Sequence, residues 1–331
     1  MAATNFIDGT TYIQASWLND INTSVYNTVL PYQKYLRPTT DLAFWGDSLT
    51  LGMATAASTQ FSSTRGVYSY GIGGQVSDQV FSRQGSNTVL VTLPSNTIIA
   101  AATPVTLTGI TSNLLSANND LITRTIDGTI ISSNGGVHGT ITRTATGTPP
   151  SQVETHTWTR TIAGNAIVIE AESVFIPDCA LGHDFNTTVF WPGRGDFNSD
   201  VPFATIQTYI ANAIKFLKSQ QKRFVLLSCL NSSQEYASNT ASTGLTVYPT
   251  YASRYNAVLA FNRWMKINYP NEFVDLRAVL VRSGTGTGQD AIDAANDVVP
   301  TSLRIDGIHL TSTGYTIGTT LINQNLVFRG I

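Results

Sequence analysis

The sequence predicts an α/β fold: a parallel sheet of about five strands, covered by helices on both faces, with an all-β module inserted into it. Three observations carry this. Short apolar runs alternate with helical patterns along most of the chain. Between residues 86 and 175 the texture changes: about one residue in five is threonine, lysine is absent, and polar–apolar alternation is frequent. The strand–helix pattern then resumes, so the module interrupts the α/β unit and does not come after it.

Taken in order, residues 1–40 stand apart. Trp17, Leu18, Ile21, Val25 and Val29 fall at helical spacing with Ser16 as N-cap, and Pro31 and Pro38 break the pattern beyond Val29. This reads as an N-terminal helix and connector. The first core strand, 42–45, ends in Gly46-Asp47-Ser48. A second, 67–70, ends in Gly71-Ile72-Gly73-Gly74, and a helix runs from there to about Gln84, where Gly85 stops it. Inside the module, alternation at 89–93, 105–108 and 155–159 marks strands, and Asp127-Gly128, Asn134-Gly135-Gly136 and Thr148-Pro149-Pro150 mark turns. Beyond it come a buried strand at 188–191 ending at Pro192-Gly193, and an amphipathic helix over 203–217 with Ile206, Ile210, Ile214 and Leu217 on one face. Further strands at 223–230 and 272–276 flank a helix at 255–267. A loop at 302–309 and a last helix from about Ser312 close the chain. The expected organisation is a core of 41–85 and 176–331, a β module of 86–175, and the leader.

Composition narrows the function. The chain has 331 residues, 42% of them hydrophobic, enough for a large core. Lys plus Arg is 19 and Asp plus Glu 21, a net charge of −2 with no basic patch, which excludes a nucleic-acid partner. No apolar run approaches the roughly 18 residues of a membrane span. Only 12% of residues are charged, about half the usual share. The start lacks a basic region and an apolar stretch, so no secretory signal peptide is expected. Two cysteines make no disulfide framework: Cys229 reads as core and Cys179 as loop, with a bridge between them the lesser alternative. The absence of His-x-x-x-His, Cys-x-x-Cys and calcium-loop spacing, and of a dinucleotide fingerprint, predicts neither a metal nor a cofactor.

The chemistry centres on Ser48. It comes directly after a strand, at a turn where the amides opening a helix favour a developing oxyanion. Read alone, Gly-Asp-Ser is a weak signal, and a plain Asx turn is the commoner reading of it. A nucleophilic serine needs a base, and there are four histidines. His138 and His156 lie in the β module and His183 in a loop before a strand. His309 sits just before the last helix in Asp306-Gly307-Ile308-His309, where an aspartate three residues ahead of a histidine on a loop suits it to accept the ring N–H and fix the tautomer. A chance pair is the alternative.

In combination, the strand-end Gly-Asp-Ser, the glycine-rich second strand end, the late Asp-x-x-His and the Thr311-Ser312-Thr313-Gly314-Tyr315 after it resemble the GDSL/SGNH hydrolase family over 41–85 and 187–325. That resemblance implies a three-layer, flavodoxin-like sandwich. It implies Ser48 as nucleophile, His309 as general base and acid, and Asp306 as its orienter. The amides of Ser48 and Gly74 would form part of the oxyanion hole. One block departs: the family has Gly-x-Asn-Asp after its third strand, and here Gly193 aligns while Gly195 stands at the asparagine position. Asn198 is then the substitute donor, or the donor is absent. Asn186 is a weaker candidate. Asp47 and Arg194 are candidate substrate contacts, a solvated loop arginine being the alternative for Arg194.

Residues 1–30, with Asp8-Gly9-Thr10 and Ala15-Ser16-Trp17-Leu18-Asn19-Asp20, resemble the leader of bacteriophage tail-fibre and tailspike proteins. This implies a virion protein acting at the bacterial surface, partnered with other tail proteins through the leader. Such proteins are often homotrimers, although no heptad run supports a coiled coil. The module resembles glycan-related inserts in esterases of this type, which implies carbohydrate binding, with a structural insert as the alternative. The expected function is a serine carbohydrate esterase removing O-acetyl groups from O-antigen or capsule. A non-catalytic glycan-binding tail protein and a general esterase or lipase are the alternatives.

Overall fold

A computed structural model describes residues 40–331 except 113, 118, 119, 150, 219 and 220. The expected helix of the leader falls outside the described residues.

Five strands form one parallel sheet: β1 (Leu42–Gly46), β2 (Val67–Gly71), β12 (Thr187–Trp191), β13 (Phe224–Leu227) and β14 (Phe273–Val274). Their spatial order is β14-β13-β12-β1-β2. Counting core strands alone, this is the 2-1-3-4-5 order of a flavodoxin-like sheet, whose direction of winding reverses between β1 and β12. The strands are apolar on both faces because both are covered. Leu42 and Phe44 of β1 enter one core with Val189, Trp191, Val225 and Leu227, while Ala43 and Trp45 enter the other with Phe190, Phe224 and Leu226. The first core is closed by α1 (Ser48–Gln60), α7 (Leu276–Arg282) and α9 (Ser312–Phe328), the second by α2 (Ser77–Gln84), α5 (Phe203–Phe216) and α6 (Tyr251–Asn268). The expected α/β sandwich with an inserted β module is thus the observed fold.

The module interrupts the core between α2 and β12. Its seven-stranded antiparallel sheet has the order β5-β9-β8-β7-β11-β3-β6, and β4 (Thr97–Ile98) pairs separately with β10 (Ile167–Val168). The long strands are β7 (Arg124–Ser132), β8 (Gly135–Thr146) and β9 (Val153–Arg160), flanked by β3 (Val89–Thr92), β5 (Val105–Thr106), β6 (Gly109–Ile110) and β11 (Ser173–Pro177). They enclose their own core, in which Trp158 packs edge-on against Phe175. Beyond β11 come a short helix, α3 (Asp178–Gly182), and, after β12, α4 (Arg194–Asn198); α8 (Gly288–Ala295) precedes the last loop.

Several local expectations need correction. Asp127-Gly128 is no turn: Gly128 lies inside β7, opposite Gly139, and a methyl group there would fall 2.4 Å from the Ile176 carbonyl and 2.5 Å from the Phe175 ring. The glycine serves close packing, a role that a turn dipeptide in sequence does not reveal. Leu276 ends no strand but opens α7, because Asp275 caps it by accepting from the Ala278 amide. Helix α6 starts one turn earlier than its apolar pattern, where Thr250 and Ser253 form a capping box. Cys179 lies in α3, and both cysteines are free. No helix among the described residues is long and apolar enough to cross a membrane.

Candidate active site

β1 and β12 end side by side where the sheet reverses its winding, the position at which ligands bind in open α/β sheets. Ser48 is the first residue of α1 there, and half-buried. Asp47 caps the helix: its carboxylate accepts from the Leu49 amide at 3.0 Å. It is 6% exposed, and burial pushes its pKa up, against the Leu49 and Gly195 amides and the Arg194 charge, which favour the anion. Asp47 therefore positions the turn that presents Ser48. The substrate contact expected of it is not available to a carboxylate turned inward onto the helix end.

His309 reaches Ser48 from 261 residues further along, its Nε2 2.7 Å from Ser48 Oγ. The loop that carries it is tied by the Ile305 amide to the His309 carbonyl at 2.8 Å, and by Arg304, which bonds the Val299 carbonyl and Asp293. Asp306 Oδ1 accepts from the Ile308 and His309 amides, both at 2.8 Å, while Oδ2 lies 2.7 Å from His309 Nδ1. Burial pushes the Asp306 carboxyl up, but the hydrogen bonds from His309 and Ile308 outweigh it and bring it down to about 2. An ionised Asp306 can only accept, so the proton sits on Nδ1 and Nε2 is left to accept from the Ser48 hydroxyl.

The loop after β2 lies against the nucleophile. The Gln75 amide bonds the Ile72 carbonyl at 3.3 Å across Gly73-Gly74, and Gly74 has φ 74°. A methyl group on Gly73 would lie 3.5 Å from Ser48 Cβ. Among the described residues neither the Gly73 nor the Gly74 amide is bonded to the protein. The turn is held from behind by Gln75, 1% exposed, whose amide nitrogen donates to the Leu114 and Ser116 carbonyls of the module and whose oxygen accepts from Arg83.

The two remaining candidates lie elsewhere. Arg194 is 2% exposed: it donates to both oxygens of Glu235, at 2.7 and 2.9 Å, and to the Leu230 carbonyl. It is half of an internal ion pair, so the expected substrate contact gives way to a structural role. Burial pushes Glu235 up, but Arg194 and Arg254 hold it below the usual carboxylate range. Asn198 Oδ1 accepts from these same two arginines, and no contact joins Asn198 to Ser48 or His309 among the described residues. Its amide oxygen thus belongs to the Glu235 ion-pair network, and the expected role of Asn198 as oxyanion donor has no contact with the triad, among the described residues, to rest on. Gly195 has its own reason: a β-carbon there would fall 2.1 Å from the Gln75 carbonyl oxygen, so this backbone excludes asparagine.

The other histidines are remote from Ser48 in their contacts. His138 bridges Thr161 and Asp178, buried His156 lies on β9, and His183 packs on Tyr68 and bonds Asn186. Sequence reasoning missed Glu235, Arg254 and Gln75. Little local marks them, since the arginines that Glu235 pairs with lie 41 and 19 residues away and the carbonyls that hold Gln75 lie 39 and 41 residues away. Among the described residues no group of three His, Cys, Asp or Glu is placed to hold a metal.

Comparison of the sequence with family profiles and with curated proteins finds no match. Among solved structures, the chain is similar to a protein from Desulfitobacterium hafniense assigned to the G-D-S-L lipolytic family (13% identity, 87% of this chain and 100% of that one, TM-score 0.42). It is also similar to a Bacteroides fragilis protein described as an acylhydrolase (14%, 96% and 99%, 0.45) and to an acetyl xylan esterase (10%, 86% and 98%, 0.45). These likenesses are coarse, and the functional reading rests on the geometry of the site.

Proposed function

We propose that the protein is a serine esterase that removes O-acetyl groups from bacterial surface polysaccharide. One observation carries the chemistry: the continuous hydrogen-bonded line from Ser48 Oγ through His309 to Asp306. Ser48 Oγ attacks the acetyl carbonyl carbon as His309 Nε2 takes its proton. The oxyanion is met by the Ser48 amide and the Gly73-Gly74 turn. Collapse expels the sugar oxygen, which takes the proton from His309 and leaves acetyl-Ser48. Water then attacks the acyl carbon with His309 again as base, and acetate leaves with Ser48 restored.

The glycan and virion parts of the reading are supported by the phage-like leader, whose residues 1–30 would also contact other tail proteins, and a homotrimer would accompany the same kinship. The buried Trp158, the module's one tryptophan, offers no sugar-stacking face, so a glycan would use other module surfaces. Release of acetate from 4-nitrophenyl acetate and from purified surface polysaccharides of several strains is the test. Ser48→Ala is expected to lower kcat by roughly 10⁶-fold, to the level left by binding and the oxyanion hole. Unchanged turnover in that variant removes the catalytic reading and leaves a glycan-binding tail protein. Preference for long acyl chains would instead favour a general esterase.

A further inference from the structure

Between the end of β2 and the module strand β7 lies a cleft of about 590 Å³. Tyr70, Ile72, Arg83, Arg124, Asp127 and Cys179 are among its walls. The Gly71-Ile72 wall continues directly into Gly73, which lies against Ser48. A sugar chain whose acetyl group sits at Ser48 would therefore have a neighbouring unit at this cleft.

Arg83 is the unusual residue. It is 4% exposed, and its guanidinium donates from Nε and Nη2 to Gln75 Oε1, at 2.9 and 2.7 Å. Its charge also lies 5.8 Å from the centre of the Trp45 ring. Among the described residues no carboxylate pairs with it, whereas the other four buried arginines each have one. Arg143 meets Asp120 and Glu154, Arg194 and Arg254 share Glu235, and Arg277 meets Asp297. A buried cation is normally held by a counter-charge, and one amide oxygen with one ring face offsets its lost hydration only in part. Nη1, with two N–H groups, has no protein partner among the described residues. Burial lowers the Arg83 pKa to about 10, so it remains protonated at neutral pH. The acids at the same cleft are spoken for: Asp127 accepts from Thr140, and Asp178 from His138, both at exposed positions where solvent screens them. Arg124 is already paired with Asp120.

We propose that this cleft binds a carboxylate-bearing sugar, with Arg83 as the counter-charge of its carboxylate, so that the preferred substrate is an acetylated acidic polysaccharide. The N–H groups that Arg83 Nη1 has left are suited to a carboxylate oxygen, and a hydrogen bond between two charged groups is of the strong kind. The proposal rests on the esterase reading for the acetyl group but not for the binding of the carboxylate.

The test uses the full chain carrying Ser48→Ala, which binds without turnover, and two forms of one polymer: acetylated polygalacturonate and its carboxyl-reduced counterpart. Calorimetric titration is expected to show the acidic form bound about tenfold more tightly or better, the scale of one charge-assisted bond. Adding Arg83→Met is expected to bring the ratio near one, and Arg83→Lys to restore part of it. Equal binding of the two polymers by Ser48→Ala overturns the proposal, as does a folded Arg83→Met chain that keeps the full ratio. If Arg83→Met does not fold, the polymer pair alone decides. Failure of the unsubstituted enzyme to release acetate from any ester, with the binding ratio intact, sinks the esterase reading and leaves the carboxylate site standing.

Discussion

Asp306 takes three hydrogen bonds from its own loop, two from amides and one from the His309 ring, and this places its pKa at about 2 against an unfolded value of 3.8. A depressed carboxylate stabilises the fold fully above the unfolded value, and the contribution disappears as pH falls through the folded one. The native protein should therefore lose stability more steeply than Asp306→Asn between about pH 4 and pH 2, and thermal melting across that range checks it. The same substitution leaves the loop without the anion that orients the imidazole, and should lower kcat by roughly 10⁴-fold on 4-nitrophenyl acetate. At this scale His309 was legible because it is one of four histidines and has an aspartate three residues ahead of it, and Ser48 because its Gly-Asp-Ser lies at a strand end that periodicity can locate and combines with that late Asp-x-x-His. Arg194 and Asn198 were not. A loop arginine looks the same in sequence whether it faces solvent or Glu235, and that acid lies 41 residues further on. Gly195 was legible as a departure but not as a necessity, because the carbonyl that excludes a side chain there belongs to Gln75, across the sheet end.

Helix α4 owes its place to a buried acid. Asp196 accepts from the Ser77 amide at 2.9 Å and its hydroxyl at 2.6 Å, so one element caps the first turn of another, α2. Burial nevertheless pushes the Asp196 carboxyl up to about 6, with nearby Asp47 acting in the same direction. The sign is opposite to that of Asp306. Stability from a raised carboxyl is complete below the unfolded 3.8 and is lost as pH rises through about 6. In Asp196→Asn the amide oxygen keeps the bond from the Ser77 amide, and the nitrogen can donate to the Ser77 hydroxyl. The variant should gain melting temperature relative to the parent between pH 4 and pH 8. A constant difference across that range would mean that Asp196 does not titrate there. The elements themselves were read with uneven success. The core strands announce themselves because apolar faces on both sides leave no room for polar residues. Helices α7 and α8 are 7 and 8 residues long, too short for a repeated apolar stripe to stand out, and they were missed.

Over the whole molecule, three apolar clusters hold two bodies. Two lie on the faces of the parallel sheet, and the third belongs to the module alone. A unit with its own core can open on its own, at a free energy below that of the whole chain. Yet the module touches the site: Leu114 and Ser116 hold Gln75, which ends the Gly73-Gly74 turn beside Ser48. The sequence showed the insertion through its change of texture, but not this buttress, because a glutamine just past a glycine turn carries no sign of its bonding partners. Trp158 is the place to separate the bodies, being 2% exposed and central to the module core. Trp158→Ala should cost about 3–5 kcal/mol, borne by the module. Calorimetry should then resolve two transitions, the earlier from the module and the later at the parent temperature. Turnover of 4-nitrophenyl acetate should fall with the earlier one, since the turn loses its two carbonyl anchors before the triad comes apart. A single transition moved to lower temperature would show instead that the two cores unfold as one. Activity surviving the first of two transitions would show that the glycine turn keeps its shape without the module.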